Sequence, residues 1–343
     1  MDKFFKRSLL GAAIATAAVA GSANAAIELN GQAVQFYGQA AGFIQFSAPD
    51  KGDNKVSTTI ESRVGFRGVV EFDDFGPDLL WQIEGGNADN GGFSPDTPWT
   101  HNNNGQLGAR DTYLGLQFDG IGSFKFGRQL VAVYNYVDWP HSNPGLGNVF
   151  DWNQADIGAS FGDRVNNNLR FDSVNFGGFN LQATLSGMNE TTDALVASVA
   201  GSFQAGPVNI HGGIYSQDKY TVDGVEKGDQ QYYLLGATAG FDALTITGAV
   251  KEMKNNIGDK KQTAYSATVQ YVIDKVVLKA GYAATSDAKF DGKKQSDTGD
   301  TAITARLGYL LPSTYLFIDS RNYKMNAADG YDYNILVGAE YYF

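Results

Sequence analysis

Arg63 and Arg67 stand four residues apart in a stretch where Val64, Phe66, Val70 and Phe72 share one side of an extended chain and Arg63, Gly65, Arg67 and Glu71 share the other. At about 3.3 Å per residue, the two guanidiniums make a vertical basic strip roughly 13 Å long. Arg170, between Leu169 and Phe171, has the same placement. Arg110 does not: Leu114, Leu116 and Phe118 share its parity, so a bulge or a position at the end of the strand is needed to turn it with the others. Carboxylates that could oppose these cations lie in one long segment, Val131 to Asp163, as Asp138, Asp151, Asp156 and Asp163. Facing each other across a water-filled gap, the two sets would make a transverse field that orients dipolar solutes and penalises apolar ones. The same segment holds Tyr134, Tyr136, Trp139, Phe150 and Trp152, whose flat faces suit either sugar stacking or packing of the segment against a wall.

Such residues need a wall with one wet and one oily side. Sixteen alternating stretches supply it, at 32–46, 57–73, 78–87, 108–119, 122–130, 166–175, 179–188, 193–204, 208–217, 230–240, 243–252, 262–273, 275–286, 299–311, 313–323 and 331–343. In the last, Ile335, Val337, Ala339, Tyr341 and Phe343 oppose Asn334, Gly338 and Glu340. Apolar sides recur on nearly every stretch with little sign of strands buried on both faces, which fits an all-β transmembrane antiparallel barrel better than a soluble sandwich. Arginine turned into hydrocarbon near the midplane costs about 2–4 kcal/mol, so Arg63 and Arg67 are expected on the inner face. Short connections alternate with mostly longer, polar ones, as they do when turns line one rim and loops the other. Arg306 and Arg321 also fall on polar parities; they extend the basic surface or, for Arg321, pair with Asp319.

Lys3, Lys6 and Arg7 precede the apolar run Leu9 to Ala20 and then Ala23-Asn24-Ala25, the pattern of a secretory signal peptide occupying 1–25 and cleaved after Ala25. Twelve apolar residues are fewer than the ~20 of a spanning helix. The domain is then 26–343. The leader carries a net positive charge, so its loss makes the −11 of the whole chain more negative and disfavours a nucleic-acid partner. With no cysteine, neither disulfides nor Cys-ligated metals are available. Forty-two glycines against eight prolines suit a tightly packed, bent wall.

Gln35 to Gln39 (QFYGQ), Ser62 to Gly68 (SRVGFRG), Ala109 to Phe118 (ARDTYLGLQF), Gly122 to Gln129 (GSFKFGRQ), Asn166 to Leu181 (NNNLRFDSVNFGGFNL) and the terminal GAEYYF resemble the general porins of Gram-negative outer membranes. The resemblance spans the mature chain, with its specific motifs in the first half. It implies a sixteen-stranded trimeric diffusion channel for ions and small hydrophilic solutes, with its third outer loop folded inward. It also implies contact with outer-membrane lipid and lipopolysaccharide, reading of Phe343 by the barrel-assembly machinery, and an inward Arg110 in the basic side of a constriction. The family's acidic-Phe-Gly-Gly loop signature is missing. Trimerisation rests on the resemblance alone, with 87–107 a candidate latch. The alternative inside the channel class is a sugar-selective porin.

Catalysis has little support. His101, His141 and His211 lie in two loops and one strand, and Gly158-Ala159-Ser160-Phe161-Gly162 lacks the strand before and helix after that a nucleophile elbow needs. No cofactor and no metal site is expected: the acidic loops at 50–53 and 287–300 carry Lys51, Lys55, Lys289, Lys293 and Lys294, as a solvated surface does.

Overall fold

The computed structural model describes residues 26–86, 106–152, 154–187 and 195–343. The candidate leader 1–25, the part of the candidate latch before Gln106, and His101 lie outside the described residues. Sixteen wall strands are seen among those described. They are β1 (Val34–Ala48), β2 (Lys55–Ile60 and Arg63–Val70), β3 (Asp78–Gly86), β4 (Thr112–Phe118), β5 (Gly122–Leu130), β6 (Arg164–Ser173), β7 (Phe179–Ser186) and β8 (Val196–Ala205). The second half comprises β9 (Val208–Gln217), β10 (Gln230–Phe241), β11 (Leu244–Asn255), β12 (Lys260–Ile273), β13 (Val276–Thr285), β14 (Thr301–Leu311), β15 (Thr314–Lys324) and β16 (Asp332–Tyr342).

Each strand pairs antiparallel with its sequence neighbour, and β16 returns to β1 with Tyr342 opposite Gln39 and Tyr333 opposite Ala48. The sheet is thereby a closed ring without edges. At the seam Gly338 is required: a Cβ there would lie 2.7 Å from the Gly42 carbonyl oxygen and 2.5 Å from the Phe317 ring. The tight turns on one rim use residues that tolerate left-handed backbone, with Asp242 at φ 49° and Asp274 at φ 53°.

Burial follows the pleat. Along β10, Gln230, Tyr232 and Leu234 are buried while Tyr233 and Leu235 are exposed, and β13 and β14 alternate in the same way. Leu235, Phe203, Ile246, Leu307 and Ile318 thus form an outer apolar surface on a protein whose inner residues are mostly polar.

Three details differ from the expectation. The second stretch is interrupted at Glu61 and Ser62, where the Ser62 hydroxyl accepts the Ala41 N–H (3.1 Å), and it ends at Val70, before Glu71 and Phe72. The fourth begins at Thr112 rather than 108. A short segment, Ile27–Asn30, pairs onto β1 ahead of the wall. The loop 131–163 carries three 3-10 turns, Val133–Tyr136, Leu146–Asn148 and Ala155–Ile157, and its apolar residues make the main buried cluster of the described structure.

Candidate functional site

Register decides which side chains enter the bore, because residues directly opposite in a ladder share a face. Arg63, Gly65 and Arg67 stand opposite Gln39, Tyr37 and Gln35 of β1, whereas Val64 and Phe66 stand opposite Gly38 and Phe36. The Arg67 guanidinium lies 4.7 Å from the centre of the Tyr37 ring and reaches Gln35 Oε1 at 3.4 Å. Tyr37 lies across the inner face because position 65 is glycine; a Cβ there would sit 2.7 Å from its hydroxyl. That hydroxyl donates to Glu84 Oε2 (2.7 Å), and Arg110 Nε donates to Glu84 Oε1 (2.6 Å). Arg110 lies ahead of β4, where its own N–H and that of Gly108 both bond the Glu84 carbonyl, so it turns toward the inner Glu84 despite its parity with Leu114.

The wall continues through β5 and β6. Arg170 stands opposite Lys125, and both hold Asp172: Lys125 Nζ at 2.6 Å, Arg170 Nε at 2.9 and 3.0 Å from its two oxygens. The Lys125 ammonium also sits 5.1 Å from the Tyr113 ring centre. Arg63 Nε is buried without a hydrogen-bond partner among the described residues. Taking Arg63, Arg67, Arg110, Lys125 and Arg170 against Glu84 and Asp172, this stretch of wall keeps an excess of positive charge.

The opposite side of the barrel is occupied by the loop. Its backbone is held by polar side chains that point inward from distant strands: Thr184 and Ser198 accept the N–H groups of Ala132 and Val133, and Tyr215 accepts that of Gly162. Gln230 both accepts from and donates to Ser160, Asn255 Nδ2 donates to the carbonyls of Ile157 and Gly158, and Ser266 Oγ donates to that of His141. Lys251, 1% exposed, donates to the Asp151 carbonyl at 2.7 Å between the rings of Phe150 and Tyr232. His141 Nε2 and His211 Nε2 are 2.7 Å apart, and Tyr136 stacks on His211. Segment 131–163 is therefore folded into the barrel.

Of the loop carboxylates, Asp138 is exposed. Asp151 is buried and accepts from Tyr134 Oη at 2.8 Å; burial, and then Asp163, push its carboxyl well above the ordinary range against the pull of Lys251. Asp156 accepts from Gln262 (3.1 Å) and Asn326 (2.6 Å) on the β12 side, and Asp163 is half-buried where the loop rejoins β6. Among the aromatics, Tyr134, Tyr136 and Phe150 are buried, Trp139 covers Lys279 at 5.0 Å, and Trp152 is 43% exposed. Asp319 is gripped by both Arg306 (2.6 Å) and Arg321 (2.7 Å), which forms a second, more nearly balanced cluster.

Sequence reasoning passed over Lys125, Glu84, Asp172 and Lys251. Lys125 carried a usable signal, since it alternates with Phe124 and Phe126 as Arg170 does with its neighbours. The histidine pair carried none, because its members lie seventy positions apart and meet only when the loop docks.

The Gram-negative porin family model matches residues 12–329. A chitoporin of Vibrio furnissii is 33% identical over 337 residues, covering 88% of this chain and 88% of that protein. Outer membrane porin C of Enterobacter cloacae is 25% identical over 346 residues, covering 95% and 85%. Among solved structures, the anion-selective porin from Comamonas acidovorans superposes with a TM-score of 0.71 at 21% identity over 91% of this chain and 99% of its own. OmpT of Vibrio cholerae does so at 0.69 and 17% over 92% and 99%. A ring of sixteen strands, apolar outside and charged within, together with a family match over most of its length, makes this chain a member of the Gram-negative porins, an integral β-barrel of the outer membrane.

Proposed function

We propose that the chain is a passive diffusion channel for ions and small hydrophilic solutes, with selectivity set where the docked loop faces the basic wall. The carrying observation is the ladder register that turns Arg63 and Arg67 inward beside Tyr37 and Gln35. Arg110 and Arg170 complete the basic side, each tied to a carboxylate that fixes its direction. On the loop side Asp138 is the exposed acid; Asp151, Asp156 and Asp163 contribute through the field. A solute crossing there exchanges aligned water for these charges, so dipolar solutes pass more readily than apolar ones. The test is the reversal potential of single channels in a KCl gradient. Arg63→Gln/Arg67→Gln should shift it toward cation preference, and an unchanged value would overturn the assignment.

A sugar-selective reading is favoured by two observations: the chitoporin relative, and Trp152, which the loop leaves exposed while three of its other aromatics are packed. Oligosaccharides, those from chitin first, should then block the current at micromolar concentration, and Trp152→Ala should relieve the block. Membership in a family of channels assigns no catalytic role. Ser160 is held through its backbone by Gln230 and serves in loop docking.

Three copies are proposed to form the working assembly, in line with the trimer form described for Vibrio cholerae OmpT. Lipid and lipopolysaccharide would cover the outer apolar surface. Phe343, whose main chain bonds Gly38 and whose ring lies 5.5 Å from that of Phe36, would be the residue read during assembly.

A further inference from the structure

His141, 0% exposed, and His211, 3% exposed, meet nitrogen to nitrogen where the tip of the loop 131–163 touches β9. Their Nε2 atoms are 2.7 Å apart, a separation that needs one hydrogen between them and has no room for two. Which ring carries that hydrogen follows from a chain of side chains beginning at the short turn before β9. The Gly206 carbonyl can only accept, and Gln204 Nε2 donates to it at 2.9 Å. Gln204 Oε1 then accepts from Asn209 Nδ2 (3.1 Å), and Asn209 Oδ1 accepts from His211 Nδ1 (3.1 Å). His211 Nε2 is therefore bare, and the hydrogen between the rings belongs to His141.

The other nitrogen of His141, Nδ1, is then bare as well, and it is buried with no partner among the described residues. An incoming proton has two places to go, both unfavourable. On His211 Nε2 it removes the acceptor on which the contact depends; on His141 Nδ1 it makes a buried cation whose new N–H has nothing to bond. The surroundings do not compensate it. Ser202 of β8 and Gly236 of β10 stand opposite His211, and Gly236 leaves the room for the pair, since a Cβ there would lie 2.7 Å from both Nε2 atoms. Tyr136 stacks on His211, Phe150 meets His141 edge-on, and Ser266 of β12 bonds the His141 carbonyl. Lys279 of β13, under Trp139, repels a charge on His141, and Lys251 of β11 lies across Phe150. Nearby acids are engaged elsewhere: Asp151 accepts from Tyr134, and Asp172, whose field reaches Tyr136, is held by Arg170 and Lys125. Among the described residues no carboxylate bonds either imidazole.

We propose that His141 and His211 form an acid-operated catch, which holds the tip of the inward loop against β9 while both rings are neutral and lets it go when they take up protons. The docked pair has no good place for an added proton, whereas two freed imidazoles each take one as pH falls through about 6.5. The freed state binds more protons, so the docking constant of the tip falls by up to about a hundredfold for each pH unit below that value. The tip's other polar ties to the wall are Ser266 Oγ to the His141 carbonyl and Tyr323 Oη to that of Gly145. Release stays local, because residues 132–133 and 157–162 keep their bonds to Thr184, Ser198, Asn255, Gln230 and Tyr215, none of which is a histidine or an acid. Any effect on current rests on the diffusion-channel reading; the release of the tip does not.

The test has two readouts on the full folded chain in detergent. With three histidines in the chain, ¹⁵N-histidine spectra at pH 7.5 should show His211 carrying its hydrogen on Nδ1 and His141 on Nε2. Trp139, two residues from His141, reports the tip through acrylamide quenching once the other three tryptophans are replaced by Phe. Between pH 8 and 4.5 its quenching constant should rise about twofold, with a slope of more than one proton. His141→Gln, whose amide still donates to the bare His211 Nε2, should keep the tip docked at pH 7.5 and reduce the slope to one proton. His141→Gln/His211→Gln, which retains an amide contact and nothing that titrates, should show no rise. The same tautomer in both rings, quenching of Trp139 that ignores pH, or a full response in the double variant would each overturn the catch.

Discussion

Arg63 and Arg67 are placed by a choice between two solvents, and the neighbouring ion pairs then set how much charge this wall presents. Arg110 spends its charge on Glu84, and Arg170 shares Asp172 with Lys125, so the excess on this wall centres on the second strand. These directions were legible for Arg63, Arg67 and Arg170 because a period of two fixes the face. For Arg110 they were not, since the strand starts at Thr112, four residues later than the pattern suggests, and leaves Arg110 ahead of it. The loop aspartates were unreadable for a different reason: a side chain's direction there depends on which distant strand the backbone meets. Titration of Asp300, which is buried between β13 and β14 and faces the loop's Asp156, gives a further check. Asp300 holds its proton in the folded chain up to about 7, whereas an unfolded Asp releases it near about 3.9. The folded state thus binds more protons between these values, and its stability falls as pH rises through that window and levels off above it. In EDTA, urea midpoints should decline between about pH 4 and 7, and Asp300→Asn should flatten that decline. A slope unchanged in the variant would count against the facing-carboxyl arrangement.

At the scale of elements, the loop 131–163 is less a connection than a small second layer lining part of the wall. Its apolar residues from Val131 to Phe161 supply burial, and seven inward side chains from six strands supply hydrogen bonds to its backbone. Such bonds matter because a carbonyl or N–H left buried without a partner costs about 1–3 kcal/mol. Gln230→Ala/Asn255→Ala removes donors from the carbonyls of Ser160, Ile157 and Gly158 while leaving the wall strands intact. The expected result is a rise in open-channel noise and a wider range of conductance, with cleavage at 157–162 by added protease. A quiet, wild-type trace would place the loop's support elsewhere. The sequence showed that this segment was long and aromatic, hence ordered. It could not show the three 3-10 turns, whose residues obey no repeating pattern.

For the whole molecule, the deciding fact is that the outer surface is oily and the inner one wet. Leu235 illustrates it: 60% exposed, midway along β10, and opposite Gly212 and Val250 on the neighbouring strands. Leu235→Arg should lower folding stability in lipid vesicles by about 2–4 kcal/mol in urea titrations, while Leu234→Arg, on the inner parity, should act through loop packing and alter conductance. Comparable stability for wild type and Leu235→Arg would contradict a lipid-facing outer surface. The ring itself was readable strand by strand, because alternation survives even where individual residues drift. The break at Glu61 and Ser62 was not, since Glu61 keeps the polar parity of Arg63 and Arg67 and a single serine among Ile60, Val64 and Phe66 is too small a departure to end a strand.

The seam joins the first wall strand to the last, with Gly38 and Phe343 exchanging main-chain bonds. No circle exists until β16 has met β1, so every earlier stage of folding handles a ribbon with two raw margins. Loss of β16 would leave that ribbon open, and open ribbons clump.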